Sequence, residues 1–209
     1  MRAVSVYCCP ESTTTSSSPS RFRFRRWHAF LGGVNIWTRG GLVTFYLLIV
    51  IDLATRRVQI AGMTPSPDGK WMRTMACNLT NWEDGFLRDK RYLIHDRDTK
   101  FCRAFVDVLE DSDVEPVKLP PRSPNMNAYC ERFIRSLKEE CLDGMIFVGE
   151  RSLRRSVKEY LEHYHRERNH QGLDNRLIEP DDAVGSTDGE VVCRQRLGGL
   201  LRYYHRTAA

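Results

Sequence analysis

Apolar and polar positions fall into a regular pattern from Leu42 onward. Leu42 to Asp52 is almost continuously apolar and rich in β-formers, as a strand covered on both faces would be. Arg56 to Ala61 then alternates polar and apolar, like its hairpin partner. A helix is predicted from about Asp68 to Trp82, with Trp71, Met75 and Leu79 on one face. A short strand, Tyr92–His95, precedes a helix from about Thr99 to Leu109 that carries Phe101, Phe105, Val108 and Leu109. Val114–Leu119 reads as another strand, and Pro120, Pro121 and Pro124 make the next segment a loop. Helices from about Met126 to Leu142 and from about Glu150 to Arg166 complete the body. Strands first, then strand–helix alternation, predict an α/β sheet flanked by helices. Arg194 to Arg206, with Leu197, Leu200, Leu201 and Tyr204, reads as an amphipathic helix that packs on the core or on another subunit.

The first forty residues follow a different rule. A Ser/Thr tract, Ser12–Ser18, is followed by Arg21–Arg26, in which Arg and Phe alternate. Such a tract buries little apolar area and is predicted to be disordered until about Trp27. It lacks the apolar stretch of a signal peptide. Its composition also changes the meaning of the chain's net charge of +5. Residues 1–40 hold six Arg against the single Glu11, whereas basic and acidic residues balance over 41–209. Basicity therefore says nothing about the body of the protein, and any case for nucleic acid must come from motifs. No apolar run approaches the roughly 20 residues that a bilayer requires. The seven scattered cysteines have neither disulfide-framework nor zinc spacing, which points to a reducing, cytoplasmic setting without membrane insertion.

Two carboxylates stand out. Asp96 follows directly on the predicted strand Tyr92–His95, and ligands of open α/β sheets gather at the carboxyl ends of strands. The alternative is local: Asp98 or Thr99 caps the next helix, with Asp96 left for chemistry. Glu131 lies on a helix whose core stripe is Cys130, Phe133, Leu137 and Cys141, while Asn127, Glu131, Arg135 and Lys138 share another face. On periodicity alone, a surface ion pair between Glu131 and Arg135 accounts for that face. His163, His165 and His170 flank a helix end, but the tyrosines among them read as packing rather than as part of a metal site.

Three segments in one order carry a resemblance: Leu93-Ile94-His95-Asp96-Arg97-Asp98; the Pro-Pro loop leading into Asn127-Ala128-Tyr129-Cys130-Glu131-Arg132-Phe133; and Tyr164-His165-Arg166-Glu167-Arg168-Asn169-His170-Gln171-Gly172-Leu173. From about Val34 to its end the chain resembles the catalytic core of bacterial transposases and retroviral-type integrases, the Asp-Asp-Glu recombinases. The resemblance implies a ribonuclease-H-like mixed sheet flanked by helices and a polynucleotidyl transfer on DNA. It matches Asp96 and Glu131 to the second and third catalytic carboxylates, with thirty-four residues between them, and implies that they bind Mg²⁺ or Mn²⁺. It also implies that Arg135 and Lys138 face the DNA backbone and that the protein self-associates. The implied organisation is a disordered or non-family segment over 1–33, a core over 34–183 and a helical segment over 184–209.

One departure matters. The family's first Asp stands just before a stretch like Val34-Asn35-Ile36-Trp37-Thr38, and the best alignment places Phe30 there. No acidic residue occurs between Glu11 and Asp52, and Asp52 belongs to the second strand and its turn. The expectation is therefore an impaired transferase, read as a truncated or frameshifted relative. Two alternatives stand beside it: a non-catalytic DNA-binding or oligomerising fragment, and a ribonuclease-H-like nuclease.

Overall fold

The computed structural model describes residues 26–88, 90–120, 128–180 and 189–206. Five strands form one sheet: β1 (Arg26–Thr38), β2 (Gly41–Asp52), β3 (Val58–Thr64), β4 (Tyr92–His95) and β5 (Glu115–Lys118), in the order β3-β2-β1-β4-β5. β2 and β3 are antiparallel, whereas β1 pairs β4, and β4 pairs β5, in parallel. Four helices accompany them: α1 (Gly69–Leu79), α2 (Arg103–Glu110), α3 (Ala128–Leu137) and α4 (Gly149–Arg166). The chain divides into two compact units, one from Met1–Gly33 with Phe45–Arg132 and the other from Val34–Thr44 with Phe133–Ala209.

In the first unit the predicted buried strand is realised: from Leu47 to Asp52 every residue of β2 is buried. Asp52 closes the β2–β3 turn, its carboxylate accepting a hydrogen bond from the Ala54 amide at 2.8 Å. The Asp68 side chain caps α1 by accepting from the Trp71 amide, and Met72, Met75, Ala76 and Leu79 turn inward. This helix stops three residues earlier than its pattern predicts.

The amino-terminal expectation needs correction. Residues 26–33, read as part of a disordered or non-family segment, form the first half of β1 between β2 and β4. Trp27, Ala29, Phe30 and Leu31 are buried there. The basic residues before them mask an apolar run long enough to complete the sheet. The remainder of the Arg/Phe tract lies outside the described residues.

In the second unit, α4 buries Leu153, Val157, Tyr160 and Tyr164. Phe133 packs against both tyrosines, edge-on to Tyr164 with ring centres 4.9 Å apart. After Leu137 the backbone widens into a π-helical turn, Lys138–Leu142. The predicted carboxyl-terminal helix is a second correction, because the chain forms a hairpin of β6 (Val191–Arg196) and β7 (Leu201–Arg206). Leu197, Gly198 and Gly199 adopt φ values of 52°, 66° and 97°, which turn the chain instead of continuing a helix. Leucines at helical spacing are the misleading signal: Leu197 and Leu201 are buried, but Leu200 and Tyr204 are exposed.

Candidate functional site

Asp96 stands where the sequence places it, directly after β4, and is 8% exposed. Its Oδ1 accepts from the Asp98 amide at 2.5 Å, and Asp98 in turn accepts from the Lys100 amide. These turns orient the carboxylates and delay α2 until Arg103. Its N-cap is Cys102, so neither Asp98 nor Thr99 caps the helix. Arg97 fastens the loop by donating from Nε to the Leu119 carbonyl at 3.1 Å. His95 lies beside the site, donating from Nδ1 to the Asp96 carbonyl and stacking on Phe101. Burial lowers its pKa to about 4 against the opposing pull of that hydrogen bond, with the charge of Lys118 lowering it further. The ring is therefore neutral at ordinary pH and brings no positive charge to Asp96. The sequence pattern carries no signal for this role of His95.

Parallel pairing of β1 with β4 runs from Arg26 opposite Tyr92 to Ala29 opposite His95. The pairing ends there, with Phe30 the next residue along β1 and Asp96 the first residue beyond β4. At this position β1 offers a benzyl group where the resemblance calls for a carboxylate. Phe30 is completely buried. Asp52, the nearest acidic residue in sequence after it, is 1% exposed and engaged in the β2–β3 turn.

Glu131 lies in the first turn of α3 and is exposed, making no hydrogen bond or ion pair with a described residue. Arg56, from the β2–β3 turn, sets its guanidinium 3.4 Å from the ring centre of Tyr129 and so pins the start of this helix. Spacing in the sequence gives no hint of that contact. Arg135 is exposed in the last turn of α3. Like Glu131 it has no ion-pair partner among the described residues, so the surface pair is not formed. Lys138 opens the π-helical turn and is half-buried. Cys130, Phe133, Leu137 and Cys141 are all buried, as their stripe predicts. Asn127 lies outside the described residues.

Hard carboxylate oxygens suit Mg²⁺, so Asp96 and Glu131 are sound ligands by type. Their number falls short: among the described residues no three His, Cys, Asp or Glu side chains gather as a metal site, and hydrocarbon occupies the β1 position. This donor set does not fit a pair of divalent ions. The histidine-rich end of α4 is structural instead, His163 Nδ1 lying 3.0 Å from Glu167 and His170 Nε2 donating to the Tyr164 carbonyl.

A family model described as an integrase core domain matches residues 112–177. Among solved structures, the catalytic core domain of BIV integrase superposes with a TM-score of 0.53 at 12% identity, over 74% of this chain and 91% of that one. The catalytic core domain of HTLV-2 integrase, solved with magnesium in a trimeric form, gives a TM-score of 0.48 at 6% identity, over 74% and 93%. Comparison with curated protein sequences gave no match. No described helix is long and apolar enough to cross a membrane. The mixed five-stranded sheet with flanking helices has the ribonuclease-H-like fold of integrase catalytic cores, and residues 112–177 of this chain are similar to the integrase core domain.

Proposed function

We propose that this core engages DNA but does not carry out strand transfer. The observation that carries this reading is Phe30, completely buried on β1 one residue past the Ala29–His95 pair, while Asp96 is one residue past it on the β4 side. Two-metal phosphoryl transfer needs both the attacking and the leaving oxygen held by cations, whose positions are set by several carboxylates together. Asp96 and Glu131 remain to hold Mg²⁺ or Mn²⁺, and without a third oxygen ligand the second ion has no fixed place. Removing a single preorganised electrostatic group from an active site costs roughly a hundred- to a thousandfold in rate, so losing a metal ligand abolishes detectable joining.

DNA engagement on this reading falls to Arg135, exposed on α3, and to Lys138 at the start of the π-helical turn. Each phosphate contact contributes about 0.9 to the slope of log affinity against log salt for duplex DNA. A salt titration with a labelled duplex, comparing the native chain with Arg135→Ala/Lys138→Ala, should show the slope flatten by about two. An unchanged slope refutes this assignment, and loss of all binding on deletion of residues 1–25 would give the contact to the amino-terminal arginines instead. The reading also includes self-association, which light scattering checks directly.

A further inference from the structure

We infer that the outer face of the β6–β7 hairpin is a docking surface for single-stranded DNA, with Tyr204 as a stacking platform between Arg202 and Arg206. This rests on the DNA-engaging reading above and adds a surface that lies outside the segment matched to the integrase core family.

The register separates the hairpin into two faces. Val192 pairs with His205, Arg194 with Tyr203, and Arg196 with Leu201, and these side chains form the inner face. That face is committed to structure. Leu201 is buried, Tyr203 stacks on His205, and Arg194 and Arg196 reach the buried Glu167 at 3.3 and 2.7 Å. The outer face pairs Val191 with Arg206, Cys193 with Tyr204, and Gln195 with Arg202. Arg202 and Arg206 are exposed, and Tyr204 is 62% exposed. Neither Arg202 nor Tyr204 has a hydrogen bond, ion pair or ring contact with another described side chain, and among the described residues the Arg206 side chain donates to the Gly189 carbonyl.

Charge singles out the ligand. Residues 191–206 contain four Arg and no Asp or Glu. Glu167, with Glu159 and Glu162 also acting on Arg196, offsets the inner arginines, whereas Arg202 and Arg206 flank a ring and have no ion pair with a described residue. Alternate residues of one strand stand about 7 Å apart, which gives a row of cation, aromatic plane and cation about 13 Å long. Grooves for single-stranded nucleic acid combine these two elements: cations that follow the backbone and rings on which bases stack. An exposed aromatic plane stacks readily on bases that are already unstacked, which favours a single strand over a duplex.

The test is fluorescence anisotropy of a labelled single-stranded oligonucleotide across a salt series, using the full chain, with an unlabelled duplex of the same sequence as competitor. Tyr204→Ala should weaken binding about 5- to 150-fold, while Tyr204→Phe, which keeps the ring, should bind as the native chain does. Arg202→Ala/Arg206→Ala should flatten the salt slope by about 1.4, two contacts at the single-strand value. Melting temperatures should not move, since neither face-outward arginine nor the ring supports the inner face. Native-strength binding by Tyr204→Ala overturns the proposal and leaves the DNA-engaging reading intact. Preferential displacement by the duplex also overturns it. Failure of the native chain to bind any DNA refutes both.

Discussion

Replacing Phe30 with Asp brings packing and metal binding into one experiment. Phe30 is completely buried, and truncating such a phenylalanine costs about 3–5 kcal/mol. On the reading that position 30 faces Asp96 across one strand spacing, about 5 Å, aspartate adds a charge beside a carboxyl that is itself only 8% exposed. At an effective dielectric constant of about 20 that repulsion is worth about 3 kcal/mol until one of the two carboxyls takes up a proton. Together these approach the total stability of a typical domain, about 5–15 kcal/mol, so Phe30→Asp should be marginal without a divalent cation. Mg²⁺ at about a hundred times its dissociation constant should return about 2.7 kcal/mol. For a chain of this size that corresponds to a rise in Tm of roughly 5–11 °C. Thermal melting with and without MgCl₂ measures this, with Phe30→Ala controlling for lost volume and Phe30→Asn for polarity without charge. Phe30→Asp should gain more from Mg²⁺ than the native chain or either control. Equal Mg²⁺ shifts in all variants, or a Phe30→Asp protein that melts like the native chain, would refute the placement of this residue opposite Asp96.

Two further predictions concern the second unit and the thiols. Burial alone would raise the pKa of Glu167, but hydrogen bonds from Arg196, His163 and Arg194 outweigh it and hold the carboxyl below its ordinary value. A depressed carboxyl stabilises the fold above its unfolded pKa, about 4.3, and loses that contribution as pH falls through the lower folded value. Glu167→Gln should accordingly cost about 3 kcal/mol near neutral pH, the low end for a buried pair because Arg194 is partly exposed, and should flatten the acid limb of the stability profile. A melting temperature unchanged by that substitution, with an intact acid limb, would show that the hairpin is held by other contacts. Burial also raises the thiol pKa of Cys130, and that of Cys141 to about 12. Alkylation of the native protein should label exposed Cys77 and spare these two, and rapid labelling of either would contradict the packing of their helix.

Elements bounded by hydrophobic pattern and turn chemistry are legible in the sequence. The strand Tyr92–His95 is predicted at the bounds it occupies, since its apolar run ends abruptly at a polar loop. The stripe Cys130, Phe133, Leu137 and Cys141 likewise emerges as a buried face. Misreadings arise where local pattern and tertiary context disagree. The carboxyl-terminal leucines have helical spacing, but the glycine pair at 198 and 199 takes left-handed geometry that a helix cannot use. Residues 26–33 follow arginines that resemble a solvated tail, yet long-range pairing with β4 makes them a strand. The same pairing brings Phe30 and Asp96 each one residue past the Ala29–His95 pair, whereas the sequence alone locates the missing acid by resemblance. The neutral state of His95 and the seat of Arg56 on Tyr129 depend on burial and contact, which periodicity does not encode.

Strand transfer by the purified chain is the decisive assay. A labelled oligonucleotide with a free 3′ hydroxyl is incubated with target DNA in Mg²⁺ or Mn²⁺, beside Asp96→Asn as the background. No joined or cleaved product is expected above that background, although the DNA is bound. Divalent-dependent joining that disappears in Asp96→Asn would contradict the loss of transfer, because the site would then hold its metals without a carboxylate at position 30.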